Sequence, residues 1–214
     1  MNDRVVIFVG LLSQYQGIDL LLESIPMVAR EVPEVKFLIV GYPGEQIYRD
    51  RARALGVERW THFTGRICYE DVPRYLSLAE VAVSPKISTT EANLKLFTYM
   101  AMGLPTVVFD SPINREILDD VGIYAKYGDV ESLAAALIRV LQDRAWGRQL
   151  GERSRQKAAA SHSWLQVGRR LGDIYHSIGA YTAPDAKERH NGQGKGISHR
   201  GGRVRRFPFS KRIS

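Results

Sequence analysis

Cysteine is nearly absent from the sequence, since Cys68 is the only one in 214 residues. A single cysteine excludes an internal disulfide and favours a reducing compartment, which predicts a cytoplasmic protein. Long apolar runs are also missing, because none approaches the roughly 18 residues of a membrane-spanning helix. An apolar segment follows residues 1–3 directly, so we expect no signal peptide. The histidines show no metal-ligand spacing, and we expect no metal site.

Excess charge is missing from most of the chain. Residues 1–184 hold 21 basic and 21 acidic side chains, whereas residues 185–214 hold nine basic and two acidic ones and carry the whole formal charge of +7. The neutral part gives no indication of nucleic-acid binding. Counterion release would allow the basic segment to contact nucleic acid or the anionic inner face of a membrane. We favour a solvated extension, because this segment is glycine-rich and has no periodicity.

What the sequence does contain is an alternation of short apolar runs and amphipathic segments. Continuous apolar runs such as residues 4–9 are typical of strands buried on both faces of a parallel sheet. Six strand–helix alternations followed by further helices predict a doubly wound, Rossmann-like α/β sheet with right-handed crossovers. We assign residues 1–182 to this domain and residues 183–214 to a disordered basic tail. The predicted strands are residues 4–9, 36–40, 61–64, 80–84, 106–109 and 122–125, and the longer predicted helices are residues 17–32, 45–55, 70–78, 111–119, 130–141, 144–160 and 165–178.

Two loops of this predicted sheet should form a ligand site. In doubly wound sheets, ligands bind at the carboxyl ends of the strands where the strand order reverses. The loops after the first and fourth strands, residues 10–17 and 84–93, should therefore meet. The helix after the second loop is apolar on nearly all sides from Leu94 to Met100 and should be buried. Lys95 lies in its first turn, where the helix dipole disfavours a cation, and a bound anion would resolve that conflict.

Several short motifs occur in an order that resembles one family of enzymes. They cover about residues 5–178 and look like the C-terminal domain of group 1 glycosyltransferases, retaining enzymes with two facing Rossmann-like domains (the GT-B fold). The order of the motifs is specific, although no single motif decides it. The motifs are Val9-Gly10-Leu11-Leu12-Ser13, Gly17-Ile18-Asp19-Leu20-Leu21-Leu22, Phe37-Leu38-Ile39-Val40-Gly41, Phe63-Thr64-Gly65-Arg66-Ile67, Tyr69-Glu70-Asp71-Val72, Lys95-Leu96-Phe97-Thr98-Tyr99-Met100-Ala101-Met102-Gly103-Leu104-Pro105 and Ser163-Trp164.

The resemblance implies a domain that binds a nucleotide-diphosphate sugar for retaining hexosyl transfer to an acceptor. The family's two glutamates stand eight positions apart. The ribose-binding one falls at Thr98, and the one that contacts the donor sugar falls at Thr90 or, with a one-residue slip, at Glu91. The family's diphosphate-binding arginine and lysine fall at Leu11 and Gln16. Three of the four usual charged contacts are therefore altered.

The resemblance also bears on partners and cofactors. The family's N-terminal domain binds the acceptor, and only residues 1–3 precede the first strand here. We therefore expect either a fragment or a chain that acts with a separate N-terminal acceptor domain or subunit. We expect no cofactor beyond the sugar nucleotide, and no metal requirement for binding. Catalysis in such enzymes is mostly positioning and neutralisation of the leaving diphosphate.

The candidate site residues fall into two groups. Lys95 would compensate as a phosphate contact and Glu91 would bond the sugar hydroxyls, so these two are the candidate catalytic residues. For Glu91, a capping box with Ser88 is the alternative that needs no ligand. The candidate binding residues are Gly10, Gln16, Arg66, Ser84, Lys86, Thr90, Asn93, Leu96 and Thr98, and a solvated or structural position remains open for Arg66, Ser84, Lys86 and Thr98.

Other polar residues have simpler interpretations. We expect His62 to be a structural residue inside a strand, and His162 and His176 to lie on helix surfaces. Asn114, Arg115 and Glu116 open a helix and are expected to serve only in capping and as surface charge.

Two other functions are weighed against a transferase. A degenerate Rossmann-like module that assembles with a partner glycosyltransferase would account for Leu11, Gln16 and Thr98. A dinucleotide-dependent oxidoreductase is disfavoured, because the first strand–helix turn lacks G-x-G-x-x-G and has only Gly10 and Gly17.

Overall fold

A computed structural model describes residues 4–88 and 91–178 of the chain. The chain divides into two units, Met1–Arg169 and Arg170–Ser214. The predicted boundary between residues 182 and 183, the basic segment that follows it and Thr90 all lie outside the described residues.

Six parallel strands form one sheet, as the sequence predicts. Their order across the sheet is β3-β2-β1-β4-β5-β6, so the direction of winding reverses between β1 and β4. This order is that of a doubly wound Rossmann fold and confirms the predicted fold class. The strands are β1 (Arg4–Val9), β2 (Val35–Val40), β3 (Thr61–Gly65), β4 (Val81–Ser84), β5 (Thr106–Phe109) and β6 (Gly122–Ala125).

Some of the helices begin at a residue whose side chain caps their first turn. The side chain of Ser111 accepts from the backbone N–H of Asn114 at 3.3 Å, and that of Asp129 accepts from the N–H of Ser132 at 2.9 Å. Such caps satisfy amide groups that a helix leaves unpaired in its first turn. The helices are α1 (Ile18–Glu31), α2 (Glu45–Ala54), α3 (Val72–Leu76), α4 (Lys95–Ala101), α5 (Pro112–Leu118), α6 (Val130–Gln142), α7 (Arg144–Lys157) and α8 (Trp164–Ser177).

Some predicted helices differ in their details. The segment predicted as one helix over residues 70–78 is a 3₁₀ turn, Tyr69–Asp71, followed by α3. The helix predicted to reach residue 160 ends at Lys157, and a π-helical turn, Ala158–His162, follows it. Leu94 is exposed and lies at the N-cap of α4, so it does not belong to the buried helix as predicted.

Both faces of the sheet are covered, which explains the continuous apolar runs. Alternate strand residues such as Phe8 and Val83 pack with α1 and α6 on one face. Their neighbours, such as Ile7 and Ala82, pack on the other face with fully buried residues of α4. The buried face of α4 consists of Leu96, Tyr99 and Met100. This packing fixes α4 against the carboxyl end of β1, where the candidate site lies.

Candidate functional site

The loops after β1 and β4 meet, as the sequence predicts. The backbone N–H of Ile87 donates to the carbonyl of Tyr15 at 2.9 Å, which joins the two loops. The two loops come closest at Gly17, because a β-carbon on that residue would lie 1.8 Å from the Pro85 carbonyl oxygen. The crossing lies between β1 and β4, where the strand order reverses and doubly wound sheets bind ligands.

Lys95 places an ammonium group at this crossing. It is the first residue of α4, and its Nζ donates to Oε1 of the buried Gln16 and lies 4.7 Å from the centre of the Phe8 ring. A β-carbon on Gly10 would lie 3.0 Å from Cε of Lys95, so glycine leaves room for the lysine at the end of β1. The predicted residues Gly10, Gln16 and Lys95 are therefore brought together.

The surroundings of Lys95 lower the pKa of its ammonium group. Burial, and next the charge of Lys86, lower the pKa of the Lys95 ammonium from 10.5 to about 7. Its hydrogen-bond partner, Gln16, is a neutral amide and not a carboxylate. A phosphate oxygen at this place would favour the charged form of the lysine and would be held by a charge-assisted hydrogen bond. The arrangement can therefore bind an anion.

Ser84 and Asn93 do not line the site with free polar groups. The Oγ of Ser84 donates to Oδ1 of Asn93 at 3.1 Å, and Nδ2 of Asn93 donates to Oδ1 of Asn114 at 3.0 Å. Asn114 in turn donates to the carbonyl of Phe109 at 2.8 Å. All three side chains are buried, and they hold the β4 loop against α5. The prediction that Ser84 and Asn93 contact the ligand is replaced by a structural role, and Asn114 is a buried link and not a surface residue.

Lys86 is likewise buried and is not solvated. Its Nζ lies 3.1 Å from Oε2 of Glu91 and donates to the carbonyls of Glu91 and Ala92 at 3.3 and 3.2 Å. Lys86 therefore fixes the backbone that leads into α4. The Glu91 side chain is 58% exposed, and α4 begins at Lys95 with Leu94 as its N-cap, so Glu91 does not take part in a capping box for this helix.

The remaining candidates on α4 differ from one another. The side chain of Leu96 is fully buried and its N–H already donates to the carbonyl of Asn93 at 3.0 Å, so Leu96 is a core residue and not a ligand contact. Thr98 is half-buried and stands one turn after Lys95 on a neighbouring position of the helix face. Thr90 lies outside the described residues.

A cleft of about 700 Å³ opens beside Gly10 at the carboxyl ends of β1, β2 and β3. Its walls are mostly apolar, with Arg66 lying 5.0 Å from the centre of the Tyr42 ring. The sequence prediction included only Gly10 and Arg66 of this cleft. A glycine ends or follows each of the three strands, but it does not mark the cleft, because at Gly10 and Gly41 the missing side chain makes room for Lys95 and for the Gly10 carbonyl. The cleft is lined by Val9, Gly10, Leu11, Val40, Gly41, Tyr42, Gly65, Arg66, Ile67, Cys68, Tyr69, Glu70 and Val72.

Tyr99 ties α4 to the strand that carries Gly10. Its buried hydroxyl accepts from the backbone N–H of Val9 at 2.8 Å and lies 3.4 Å from the carbonyl of the same residue. A buried amide without a partner is costly, so the tyrosine hydroxyl satisfies a group near the edge of the site.

Replacing Tyr99 with phenylalanine should lower the free energy of unfolding by about 1–3 kcal/mol, because the Val9 N–H loses its partner. Urea unfolding of the purified variant measures this loss. The matched control is Tyr69→Phe, whose ring is 80% exposed and whose effect should stay within about 0.5 kcal/mol. Equal stabilities of the two variants would show that the Tyr99 hydroxyl is not needed.

The histidines give no indication of chemistry. His62 lies in β3 and His176 at the end of α8, and both are exposed. His162 is half-buried, with its ring centre 4.9 Å from that of Phe97, and so it is not the surface residue that the sequence predicted. Over residues 4–88 and 91–178, no three His, Cys, Asp or Glu side chains form a group that could hold a metal ion. Within the same residues, no helix is both long enough and apolar enough to cross a bilayer.

Comparison with known proteins finds glycosyl transferases among the relatives of this chain. The family described as Glycosyl transferases group 1 matches residues 3–143. An alpha-D-kanosaminyltransferase from Streptomyces kanamyceticus is 27% identical over 183 residues, which are 84% of this chain and 47% of that protein. A GDP-mannose-dependent monoacylated alpha-(1-6)-phosphatidylinositol monomannoside mannosyltransferase from Corynebacterium glutamicum is 27% identical over 169 residues, which are 76% of this chain and 44% of that protein.

Solved structures agree on the fold. The Anabaena protein HepE, solved in complex with UDP and glucose, superposes with a TM-score of 0.72 at 18% identity, over 82% of this chain and 49% of that one. The chain thus spans about half the length of the relatives that it matches.

Proposed function

The chain belongs to the group 1 glycosyl transferases, and from that membership we propose that it is the donor-binding half of such an enzyme. In this proposal a nucleotide-diphosphate sugar binds at the carboxyl edge between β1 and β4. The hexosyl group then passes to an acceptor with retention of configuration. The observation that carries the proposal is the ammonium of Lys95, held by Gln16 over Gly10 and beside the cleft.

The two parts of the site fit the two parts of a nucleoside diphosphate. The diphosphate would lie at Lys95, because a partly buried ammonium with a neutral partner is satisfied by an anion. The nucleoside would lie in the cleft, where apolar walls and the exposed ring of Tyr69 offer contact area for a flat base. Gly10 adjoins both parts, so one molecule can occupy them together.

In this proposal, Lys95, Glu91 and Thr98 bind and position the donor. As the bond between the sugar and the diphosphate breaks, negative charge grows on the leaving oxygen, and Lys95 would neutralise it. Glu91 has an exposed carboxylate, anchored by Lys86, that could bond sugar hydroxyls near the start of α4. Thr98, one turn after Lys95, would be the ribose contact. We propose that this binding needs no metal ion.

Names of the relatives support the class of donor without fixing it. One relative is GDP-mannose-dependent by name, and one fold neighbour was solved with UDP. A nucleotide-diphosphate sugar is therefore the proposed ligand, and the base and sugar stay open. Since the relatives are about twice as long, we propose that a second domain or subunit supplies the acceptor site. The cytoplasm is the proposed compartment, because the chain has one cysteine.

A non-catalytic role is the second candidate. It is favoured by the exposed Leu11 and by Gln16 and Thr98, which stand where the resemblance implies charged contacts. Such a module would assemble with a partner glycosyltransferase and would have no affinity for sugar nucleotides. The two functions therefore differ in a property that can be measured on this chain alone.

Cys68 provides a direct reporter, because it is exposed, lines the cleft and is the only cysteine of the chain. UDP or GDP should slow its alkylation by N-ethylmaleimide, about tenfold when the nucleotide is present at ten times its Kd. EDTA should leave this protection unchanged if binding needs no metal. Uridine and guanosine serve as controls and should protect much less, because they lack the diphosphate. Unchanged alkylation with both diphosphates would favour the non-catalytic module.

A further inference from the structure

Two charged side chains line the mostly apolar cleft beside Gly10 in the part of the chain that the structure describes. They are Arg66 and Glu70, which are exposed and lie between β3 and α3. The guanidinium of Arg66 lies 5.0 Å from the centre of the Tyr42 ring. No other described residue gives either side chain a hydrogen bond or an ion pair. Both groups are therefore available to a molecule in the cleft, the carboxylate as an acceptor and the guanidinium as a donor.

The Glu70 carboxylate restricts which ligand the cleft can hold. The proposed ligand carries a diphosphate, and a further negative charge beside it lowers affinity unless that charge accepts hydrogen bonds from the same molecule. A carboxylate can only accept, so it favours a part of the ligand that presents adjacent N–H or O–H groups. The apolar lining, such as Val40, Ile67 and Val72, gives a flat base contact area but does not distinguish one base from another.

Guanine is the base whose polar edges match this pair of charges. Its N1–H and its 2-amino group are adjacent donors, which a carboxylate can accept through two parallel hydrogen bonds. Its O6 and N7 are adjacent acceptors, which the guanidinium fork of an arginine binds in the same way. Uracil has a single N–H between two carbonyl oxygens, so one oxygen would face the carboxylate. Adenine and cytosine each place a ring-nitrogen acceptor beside their amino group, which leaves the carboxylate one donor.

We propose that the cleft is specific for guanine and that the donor of this chain is therefore a guanosine-diphosphate sugar. This inference rests on the proposed function, because it places the nucleoside in the cleft. Glu70 accepts from N1–H and the 2-amino group, and Arg66 donates to O6 and N7 while it stays beside the Tyr42 ring. Glu70 and Arg66 then decide which donor binds, whereas Lys95 contacts the diphosphate of any donor.

Titration calorimetry of the whole chain with a series of nucleoside diphosphates tests the inference. GDP should bind at least about tenfold more tightly than UDP, ADP or CDP. Inosine diphosphate lacks only the 2-amino group, so it should bind about tenfold more weakly than GDP through the loss of one charge-assisted hydrogen bond. If UDP binds as tightly as GDP, the inference is wrong while the proposed function stands. If no diphosphate binds, the proposed function fails and the inference fails with it.

Glu70→Gln should change the specificity of the cleft in a way that a merely structural role would not. The glutamine amide can accept from N1–H as before, but its NH₂ group then faces the 2-amino group of guanine. Xanthine has a carbonyl oxygen at that position. The variant should therefore bind xanthosine diphosphate about tenfold or more tightly than GDP, and the original chain should show the reverse order.

Asp71→Asn is the matched control, because it removes the neighbouring carboxylate. Asp71 lies 3.5 Å from the guanidinium of Arg74 and is not among the described residues that line the cleft. This variant should keep the preference of the original chain for GDP. If Glu70→Gln also prefers GDP, or weakens UDP and GDP by the same factor as a ribose contact would, Glu70 does not recognise the base and the inference is overturned.

The contact of Arg66 can be tested with 7-deaza-GDP, in which a C–H group replaces N7. This analogue should bind about tenfold more weakly than GDP to the original chain, because one charge-assisted hydrogen bond is lost. In Arg66→Met the two nucleotides should bind alike. Equal affinities for the two nucleotides in the original chain would show that Arg66 does not recognise the base.

Discussion

Replacing Lys95 with methionine should weaken nucleoside-diphosphate binding by about 10- to 100-fold, since one charge-assisted hydrogen bond to phosphate is lost. The same change should make the fold more stable at neutral pH. Methionine fills similar space over Phe8 and Gly10 without placing a charge in a partly buried position beside Lys86. A gain in stability joined to a loss of binding is typical of a residue kept for function.

The pH dependence of unfolding tests whether Lys95 destabilises the fold when it is charged. The pKa of Lys95 is about 7 in the folded chain and 10.5 ordinarily, so between these values the unfolded chain binds a proton that the folded chain does not. The contribution of Lys95 to the free energy of unfolding therefore rises with pH from about 7 towards 10. Urea unfolding across this range should show the rise in the original chain and a flatter profile in Lys95→Met.

Lys36→Met is the matched control for both measurements. Lys36 lies near the amino end of β2, away from the site, and its Nζ donates to the carbonyl of Arg59 at 2.9 Å. This variant should leave nucleotide affinity unchanged and should not flatten the pH profile. If Lys95→Met and Lys36→Met bind UDP and GDP equally well, the ammonium of Lys95 is not the phosphate contact.

Replacing Gly17 with alanine should destabilise the fold by more than about 3 kcal/mol, because two independent costs combine. Its φ of 76° lies in the left-handed region, which costs a residue with a β-carbon about 1–2 kcal/mol. The new β-carbon would also lie 1.8 Å from the carbonyl oxygen of Pro85 and would push the β1 and β4 loops apart. Protein that remains folded should have lost nucleotide affinity, because Gln16 lies in the β1 loop and Lys95 begins the helix that follows the β4 loop.

Gly56→Ala separates the two costs. Gly56 has a similar φ of 68°, but a β-carbon there meets no atom within 4 Å among the described residues. This variant should lose only about 1–2 kcal/mol, from the backbone conformation. The difference between the two variants in urea unfolding measures the contact between the loops. Equal losses of stability in the two variants would mean that the β1 and β4 loops are not in close contact at Gly17.

The sequence was sufficient for the fold because its signals are local and repeated. Apolar runs such as residues 4–9 indicate strands, and caps such as Ser111 and Asp129 indicate where helices begin. Connection rules for alternating strands and helices then predict a doubly wound sheet, whereas the strand order itself comes from the structure. For the same reason the meeting of the β1 and β4 loops could be predicted.

The site could be predicted only in part, because side-chain roles depend on long-range partners. Lys95 was found from its position in a helix turn, which is a local feature. Ser84 and Asn93 looked equally suitable, yet the Ser84 hydroxyl bonds to Asn93, and the Asn93 amide bonds in turn to Asn114, 21 residues further along the chain. Lys86 is buried because its ammonium bonds to the carbonyl of Ala92, six residues further on, and no sequence pattern indicates that contact. A residue's type shows what it can bind, whereas its partners decide whether it is free to do so.

Titration calorimetry of the whole chain with UDP and GDP tests the central claim most directly. At a pH just above the pKa of Lys95, one of these nucleotides should bind and the chain should take up a proton, because phosphate favours the charged lysine. Titrations in buffers of different ionisation heats measure that uptake. Binding with proton uptake, lost in Lys95→Met, is the expected result. No heat of binding with either nucleotide, or binding that persists unchanged in Lys95→Met, would contradict a donor site built on Lys95.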